Sequence, residues 1–202
     1  LNSNFWDDRY SDKNYIYGKE PNLYFKSKIE SLSPGKILLP AEGEGRNAVY
    51  AAKLGWDVYC FDLSIQGKLK AEQLAKENNV KINYSIEDAN HVNYDFEFDM
   101  IAFVFNHFGV TKVNNIYSRL AGFLKVGGSV VFECFSKEQL EYQSIYNSGG
   151  PGDIDLLFDF DVINKIFPNF EVLELTKQIK ELSEGEYHFG LSSVIDFYGI
   201  KK

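Results

Sequence analysis

The chain has 202 residues, 17 of them Phe and 13 Tyr, and a formal net charge of -8. That length suits one domain over residues 1–202 with a single substantial core, and the aromatic excess suits a dense interior or a ring-lined pocket. The acidic balance, without any Lys/Arg run, leaves no nucleic-acid footprint. No apolar run approaches the ~18 residues of a membrane span and no signal peptide is visible, which predicts a soluble, cytoplasmic protein with no membrane contact.

In chain order, the aromatic stretch FWDDRYSDKNYIYGKEPN precedes a helix expected from about Leu23 to Leu32, ended by Ser33-Pro34-Gly35. Lys36 to Pro40 reads as a strand, Arg46 to Leu54 as a helix stopped by Gly55, and Asp57 to Asp62 as the next strand. Ser64 caps a further helix in which Ile65, Leu69 and Leu74 are expected on the sheet face, with Lys68, Lys70, Glu72 and Lys76 in water. Lys81 to Ile86 is a third strand. The apolar run FDMIAFVF, Phe98 to Phe105, suits a central parallel strand buried on both faces.

Val113, Ile116, Tyr117, Leu120 and Leu124 recur at helical spacing ahead of Gly127-Gly128, and Ser129 to Phe135 is a fifth strand. After SGGPGD, a helix near Asp159 to Ile166 leads to two strand-like runs, Phe170 to Glu181 and Tyr187 to Gly199. Ser183-Glu184-Gly185-Glu186 joins them as a hairpin at one sheet edge. The alternation predicts an α/β, doubly wound sheet with ligands outside the carboxyl ends of its strands. Cys60 and Cys134 lie in strand segments without metal-ligand neighbours and read as buried thiols; no metal site is read.

Between the first strand and its helix, KILLPAEGEGRNA turns through Gly43 and Gly45, where the lack of a Cβ lets backbone approach a ligand. Gly43-x-Gly45-x-x-Ala48 fits a loose dinucleotide fingerprint, so an NAD(P)-dependent reductase is one reading. Glu42 and Glu44 oppose it. At about 6 Å and an effective dielectric constant of about 20, each carboxylate–phosphate pair costs about 3 kcal/mol. S-adenosylmethionine has no phosphate and carries a sulfonium and an ammonium, so its charge agrees with the loop. Asp62, ending the second strand, can receive both ribose hydroxyls. Asp88, in SIEDANH, can accept from the adenine amino group or cap a turn, and His91 is expected to pack beside the adenine.

On these residues the chain resembles class I S-adenosylmethionine-dependent methyltransferases, and among them small bacterial enzymes of the tellurite-resistance and thiopurine methyltransferase type. ILLPAEGEGRNA matches the family's first motif, CFDLS the acidic end of strand two, EDANH the acid after strand three, and LKVGGSVVFE the later strand. The resemblance covers nearly the whole chain. It implies a Rossmann-like, seven-stranded sheet of order 3-2-1-4-5-7-6 with strand 7 antiparallel. It also implies that residues 1–34 act as a cofactor lid.

The implied cofactor site comprises Trp6, Tyr10, Tyr17, Ala41, Glu42, Gly43, Gly45, Asp62, Leu63, Asp88, Ala89 and Asn106. Many relatives carry an acid where Leu39 stands and a glycine where Ala41 stands; Glu42 is the expected substitute for the missing acid. Rings of Trp6, Tyr10 and Tyr17 would attract the sulfonium by ~0.5–2 kcal/mol.

Methyl transfer asks the protein chiefly to align donor and acceptor and to exclude water. His107, just beyond strand four, is the expected general base if the acceptor needs one, although a loop histidine held by a hydrogen bond is an equal reading. Tyr187 and His188 are expected acceptor contacts, while Glu184 and Glu186 are expected in a solvated turn. The leading expectation is methyl transfer to a small-molecule S, O, N or metalloid nucleophile. The alternatives are the reductase and a non-catalytic S-adenosylmethionine-binding protein.

Overall fold

The computed structural model describes residues 2–108 and 110–202, with backbone alone for residues 110–115. Its seven strands are β1 (Lys36–Pro40), β2 (Asp57–Asp62), β3 (Asn83–Ile86), β4 (Phe98–Val104), β5 (Leu124–Phe135), β6 (Phe170–Glu184) and β7 (His188–Lys201). They form one sheet of order β3-β2-β1-β4-β5-β7-β6. The β1–β2, β1–β4, β2–β3 and β4–β5 pairs are parallel, and β7 runs antiparallel between β5 and β6. Around it lie α1 (Ser3–Tyr10), α2 (Leu23–Ile29), α3 (Arg46–Lys53), α4 (Ile65–Glu77), α5 (Val110–Ala121), α6 (Gln139–Tyr146) and α7 (Phe160–Ile166). This is the α/β, Rossmann-like, doubly wound architecture expected from the sequence.

Alternate residues of the central strands fill opposite faces, as a two-residue period demands. Leu38, Ile101, Phe103 and Phe132 pack with Tyr117, Leu120, Ile163 and Phe167 of the α5–α7 layer. Ile37, Leu39, Met100 and Val131 pack with Phe25, Ile29, Ala48 and Ala51 of the α2–α3 layer. Strand order reverses where β1 meets β2 on one side and β4 on the other, which opens a crevice at their carboxyl ends. Cys60 and Cys134 are buried free thiols. Among the described residues, no helix is long and apolar enough to cross a membrane.

Several elements differ from expectation. Two helices, α1 and α6, were not anticipated: α1 is capped by Asn2, whose side chain accepts from Phe5 N. The helix expected to run to Leu124, α5, ends at Ala121; Leu124 opens β5 and pairs with Phe98, while staying in the core. The expected core role of Val113 lies outside the described side chains. The hairpin strands are longer than expected, with Glu184 and His188 still paired across the sheet.

In α4 the buried face is Gly67, Ala71, Leu74 and Ala75, whereas Ile65 and Leu69 are 45% and 53% exposed. Close approach decides this. A Cβ on Gly45 would lie 2.5 Å from Ala71 Cβ, and one on Gly67 would lie 3.0 Å from the Gly43 carbonyl oxygen, so only small residues fit against the loop.

Candidate functional site

At the carboxyl ends of β1, β2 and β4 lies a cavity of about 550 Å³. Its floor is Ala41, Glu42, Glu44, Arg46 and Asn47 of the loop after β1, together with Asp62 and Leu63. One wall is Asp88, Ala89 and Asn90, another is Phe105, Asn106, His107 and Phe108, and the roof includes Trp6, Arg9, Tyr10, Tyr17, Tyr187 and His188. Thirteen of the fifteen residues expected at the site therefore line one cavity. Gly43 and Gly45 do not. Their positive φ values, 60° and 87°, turn the chain, but the space where their Cβ atoms would sit is filled by the Tyr10 hydroxyl and by Ala71 rather than left for a ligand.

The loop carboxylates have separate roles. Glu44 is buried, pairs with Lys70 at 2.7 Å and accepts from Tyr17 N at 3.3 Å, so it tethers the N-terminal segment and α4 to the loop. Lys70 is accordingly enclosed rather than in water. Glu42 lines the cavity, and its Oε1 accepts from Ala48 N at 2.7 Å, within the first turn of α3. Burial pushes its carboxyl up to about 7, against the pull of the Ala48 amide and Arg46.

Asp62 accepts from Ser64 N and Gly43 N, each at 3.0 Å, one amide to each carboxylate oxygen. One lone pair on each oxygen is thus used to set the side chain's orientation. Burial raises its pKa to about 6. Asp88 closes an Asx turn by accepting from Asn90 N at 2.8 Å, and Arg119 holds the adjoining loop by donating to the carbonyls of Ala89 and Val92. His91 does not line the cavity: its Nδ1 is 3.9 Å from the Asp88 carboxylate, but its side chain is exposed to solvent.

Ala41 and Phe105, at the ends of β1 and β4, hold φ values of 46° and 51°. Residues other than glycine adopt this left-handed region at a cost, and both line the cavity. Ala41 thus keeps the backbone turn that a glycine would make without strain. Between them, Asn106 Nδ2 donates to Pro40 O at 2.8 Å and pins the β4 end to the β1 end.

His107 Nδ1 lies 2.8 Å from the Leu156 carbonyl, which fixes the proton on Nδ1, and its ring stacks on Phe135. Burial pulls its pKa down to about 4, below what a general base working near neutrality needs. His188 is buried against Phe105 and Tyr17 at ring distances of 4.5 Å each, and its Nδ1 is 3.6 Å from Glu184. Glu184 is not in a solvated turn. It pairs with Arg46 at 2.7 Å; burial alone would raise its carboxyl, but Arg46 and His188 outweigh that and hold it at about 2.

A run of rings, Trp6 on Tyr10 at 5.6 Å, Tyr10 to Tyr17 at 6.4 Å and Tyr17 to His188, joins α1 to the hairpin over the cavity. Sequence reasoning passed over Arg9. Its guanidinium lies 4.1 Å from the Tyr187 ring centroid and donates to Tyr17 Oη at 3.0 Å. The signal was present: Trp6, Arg9 and Tyr10 are spaced to share one face of a capped helix.

The profile of the family described as "Tellurite resistance protein TehB" matches residues 4–145. A probable S-adenosyl-L-methionine-dependent methyltransferase TehB from Haemophilus influenzae (strain 10810) is 23% identical over 181 residues, covering 87% of this chain and 59% of that protein. A second, from strain ATCC 51907, is 24% identical over 156 residues, covering 75% of this chain and 51% of that one. The chain thus spans a little over half the length of these curated relatives.

The crystal structure of TehB from Haemophilus influenzae superposes with a TM-score of 0.72 at 18% identity, covering 99% of this chain and 67% of that one. The N-methyltransferase NodS from Bradyrhizobium japonicum, in complex with S-adenosyl-L-homocysteine, superposes at 0.75 with 12% identity, covering 98% and 97%. These likenesses carry the fold, and the family profile carries the assignment: the chain belongs to the TehB family.

Proposed function

We propose that this chain is one methyltransferase domain that binds S-adenosylmethionine in the cavity and directs its methyl group to a small-molecule acceptor. The observation that carries the reading is the convergence of Glu42, Asp62 and Asp88 from three successive strand ends onto one ring-roofed cavity. Asp62 is oriented for the ribose hydroxyls and Asp88 for the adenine edge. Glu42 is the carboxylate for the ammonium, and Arg9 the cation for the cofactor's carboxylate. When bound, the cofactor supplies a methyl carbon already activated by its sulfonium, which leaves alignment and exclusion of water to the protein.

A dinucleotide is disfavoured by more than charge. Pyrophosphates bind the free amides of a helix N-terminus, and the Ala48 amide of α3 is already taken by Glu42. A net charge of -8 likewise disfavours a nucleic-acid acceptor, and a cytoplasmic setting is proposed with the small-molecule role.

In this reading α1 and the segment through Tyr17 form a cofactor lid, tied down by Glu44 and by Glu186 N donating to Ile16 O at 2.9 Å. Limited proteolysis with and without S-adenosylhomocysteine checks it: protection of this segment is expected on binding. Calorimetric titration with S-adenosylmethionine, S-adenosylhomocysteine, NADH and NADPH tests the main reading. Tight binding of a nicotinamide cofactor alone overturns it. Release of S-adenosylhomocysteine across a panel of thiols, phenols, amines and metalloid oxyanions then separates an enzyme from a non-catalytic binder.

A further inference from the structure

β6 is the outer strand of the sheet, and among the described residues only β7 pairs with it. It runs for 15 residues without Pro or Gly, where an ordinary strand has about 5–6. Long edges are usually blunted by outward charges, prolines or bulges, or else covered. Here the one bulge lies near the start, between Val172 and Glu174, and from Glu174 to Glu184 the register with β7 is unbroken. The charges are folded back onto the chain: Glu174 pairs with Lys28, Lys177 with Glu138, Lys180 with Glu133 and Asp196, and Glu184 with Arg46. Half the strand's length is thus left as an open, regular ladder edge.

What fits that edge can be read from the strand. Alternate residues share a face, so Lys177, Ile179 and Glu181 lie together, with Leu191 of β7 directly opposite Glu181. Ile179 is 49% exposed, and Leu191 is exposed beside it. An antiparallel neighbour must offer an apolar residue to Ile179, an acid to Lys177 and a base to Glu181. The same strand, turned about a two-fold axis at Ile179, supplies all three: Ile179 meets its copy, and Lys177 meets Glu181 on both sides. Partners in this register differ by even numbers, so side chains keep their face and edge-facing amides meet edge-facing amides. Moving the axis two residues either way would set Lys177 or Glu181 against itself.

We propose that two copies of this chain dimerise by antiparallel β6–β6 pairing about Ile179, joining two seven-stranded sheets into one. The opposite edge, β3, has only 4 residues, so this pairing uses up the long edge of each copy and closes the assembly. It also braces the hairpin whose Glu184 grips Arg46 and whose Tyr187 and His188 roof the cavity. The inference stands apart from the identity of the cofactor.

Sedimentation velocity of the chain over a concentration series is expected to show a dimer. Lys177→Glu and Glu181→Lys each put like charges opposite one another at both repeats of the axis, and each should weaken dimerisation by at least about tenfold. Combining the two substitutions exchanges the charges and should restore the dimer. Cys60 and Cys134 are buried, so Ile179→Cys presents a single accessible thiol. Mild oxidation should link it to its copy within disulfide reach, whereas Leu173→Cys, exposed on the same strand but off the axis, should remain uncrosslinked. A monomer at every concentration overturns the proposal. So does a dimer indifferent to the single charge reversals, or one that cross-links as readily through Leu173→Cys. The cysteine variants, both at exposed positions, decide the matter should circular dichroism show a charge variant to be unfolded.

Discussion

The carboxylate of Glu42 accepts a hydrogen bond from the backbone amide of Ala48 at 2.7 Å, folding the loop acid onto the first turn of α3. One oxygen thus serves the helix while the residue still lines the cavity. Gln can accept from the same amide, so Glu42→Gln removes the charge and keeps the cap. Because burial holds this acid at about 7, a bound ammonium must expel a proton whenever the pH is below that value. The affinity for S-adenosylhomocysteine is expected to rise about tenfold from pH 6 to pH 7.5 in the natural chain. In Glu42→Gln it is expected to be weaker by about tenfold and nearly flat over that range. Calorimetry at four pH values checks both, and an unchanged dissociation constant in the variant removes Glu42 from the ammonium site.

Stability without cofactor should move the other way with pH. Glu42 and Asp62 have folded-state values of about 7 and about 6, above their unfolded values of 4.5 and 3.8. At these two acids the native chain therefore holds more protons than the unfolded chain in this window. The stability these acids contribute is complete below the unfolded values and is lost as pH rises through the folded ones. For Glu42 the loss is on the order of 3 kcal/mol. Glu184, held at about 2, has the opposite sign but changes only at far lower pH; His107, pulled down to about 4 by burial, offsets part of the loss between pH 5 and its unfolded value of 6.5, and Glu133, pushed up by burial, adds to the loss. Thermal unfolding of the free protein should show a higher midpoint at pH 5 than at pH 8, and an excess of cofactor should narrow the gap. A midpoint that climbs from pH 5 to 8 contradicts it.

Arg9 is surrounded by rings of Phe5, Trp6 and Tyr187 and by the Tyr17 hydroxyl, and no ion pair engages it among the described residues. A charge-assisted hydrogen bond to a carboxylate is worth about 1.5–3 kcal/mol. Arg9→Met, which preserves much of the apolar stem, should therefore weaken S-adenosylhomocysteine binding by at least about tenfold. It should leave 5′-methylthioadenosine, which lacks the amino-acid end, almost unaffected. Equal losses for the two ligands would assign Arg9 to roof packing instead.

Much of this site was legible from local patterns. Strand ends fall where apolar runs meet Gly, Asp or Ser, so the positions of Glu42, Asp62, Asp88 and Asn106 follow from periodicity and topology alone. What was not legible depends on contacts between distant segments. The buried face of α4 is set by Gly43 and Gly45 pressing on Gly67 and Ala71, which a search for large apolar residues overlooks. Glu184 reads as a turn glutamate because its partner, Arg46, is 138 residues away. Ala41 and Phe105 gave no sign of positive φ, because the strain is imposed by the sheet around them rather than by their own side chains.

The Arg46–Glu184 pair gives the most direct test of how hairpin and loop are joined. Its side chains are only 8% and 12% exposed, so solvent screens the pair weakly. Arg46 begins α3, directly after the glycine turn, while Glu184 ends β6 and also accepts from Asn22 Nδ2 at 2.9 Å. Glu184→Ala leaves a buried guanidinium without its counter-charge, for which the expected cost is about 3–5 kcal/mol. Glu184→Gln retains an oxygen for Arg46 but no charge and should cost less. Replacing both partners, as Arg46→Met with Glu184→Met, removes the unpaired charge along with the bridge. The double variant should therefore be more stable than Glu184→Ala in urea unfolding, despite carrying one more substitution. If instead the two losses simply add, the pair is not coupled and the hairpin is held over the cavity by the ring contacts of Tyr17 and His188.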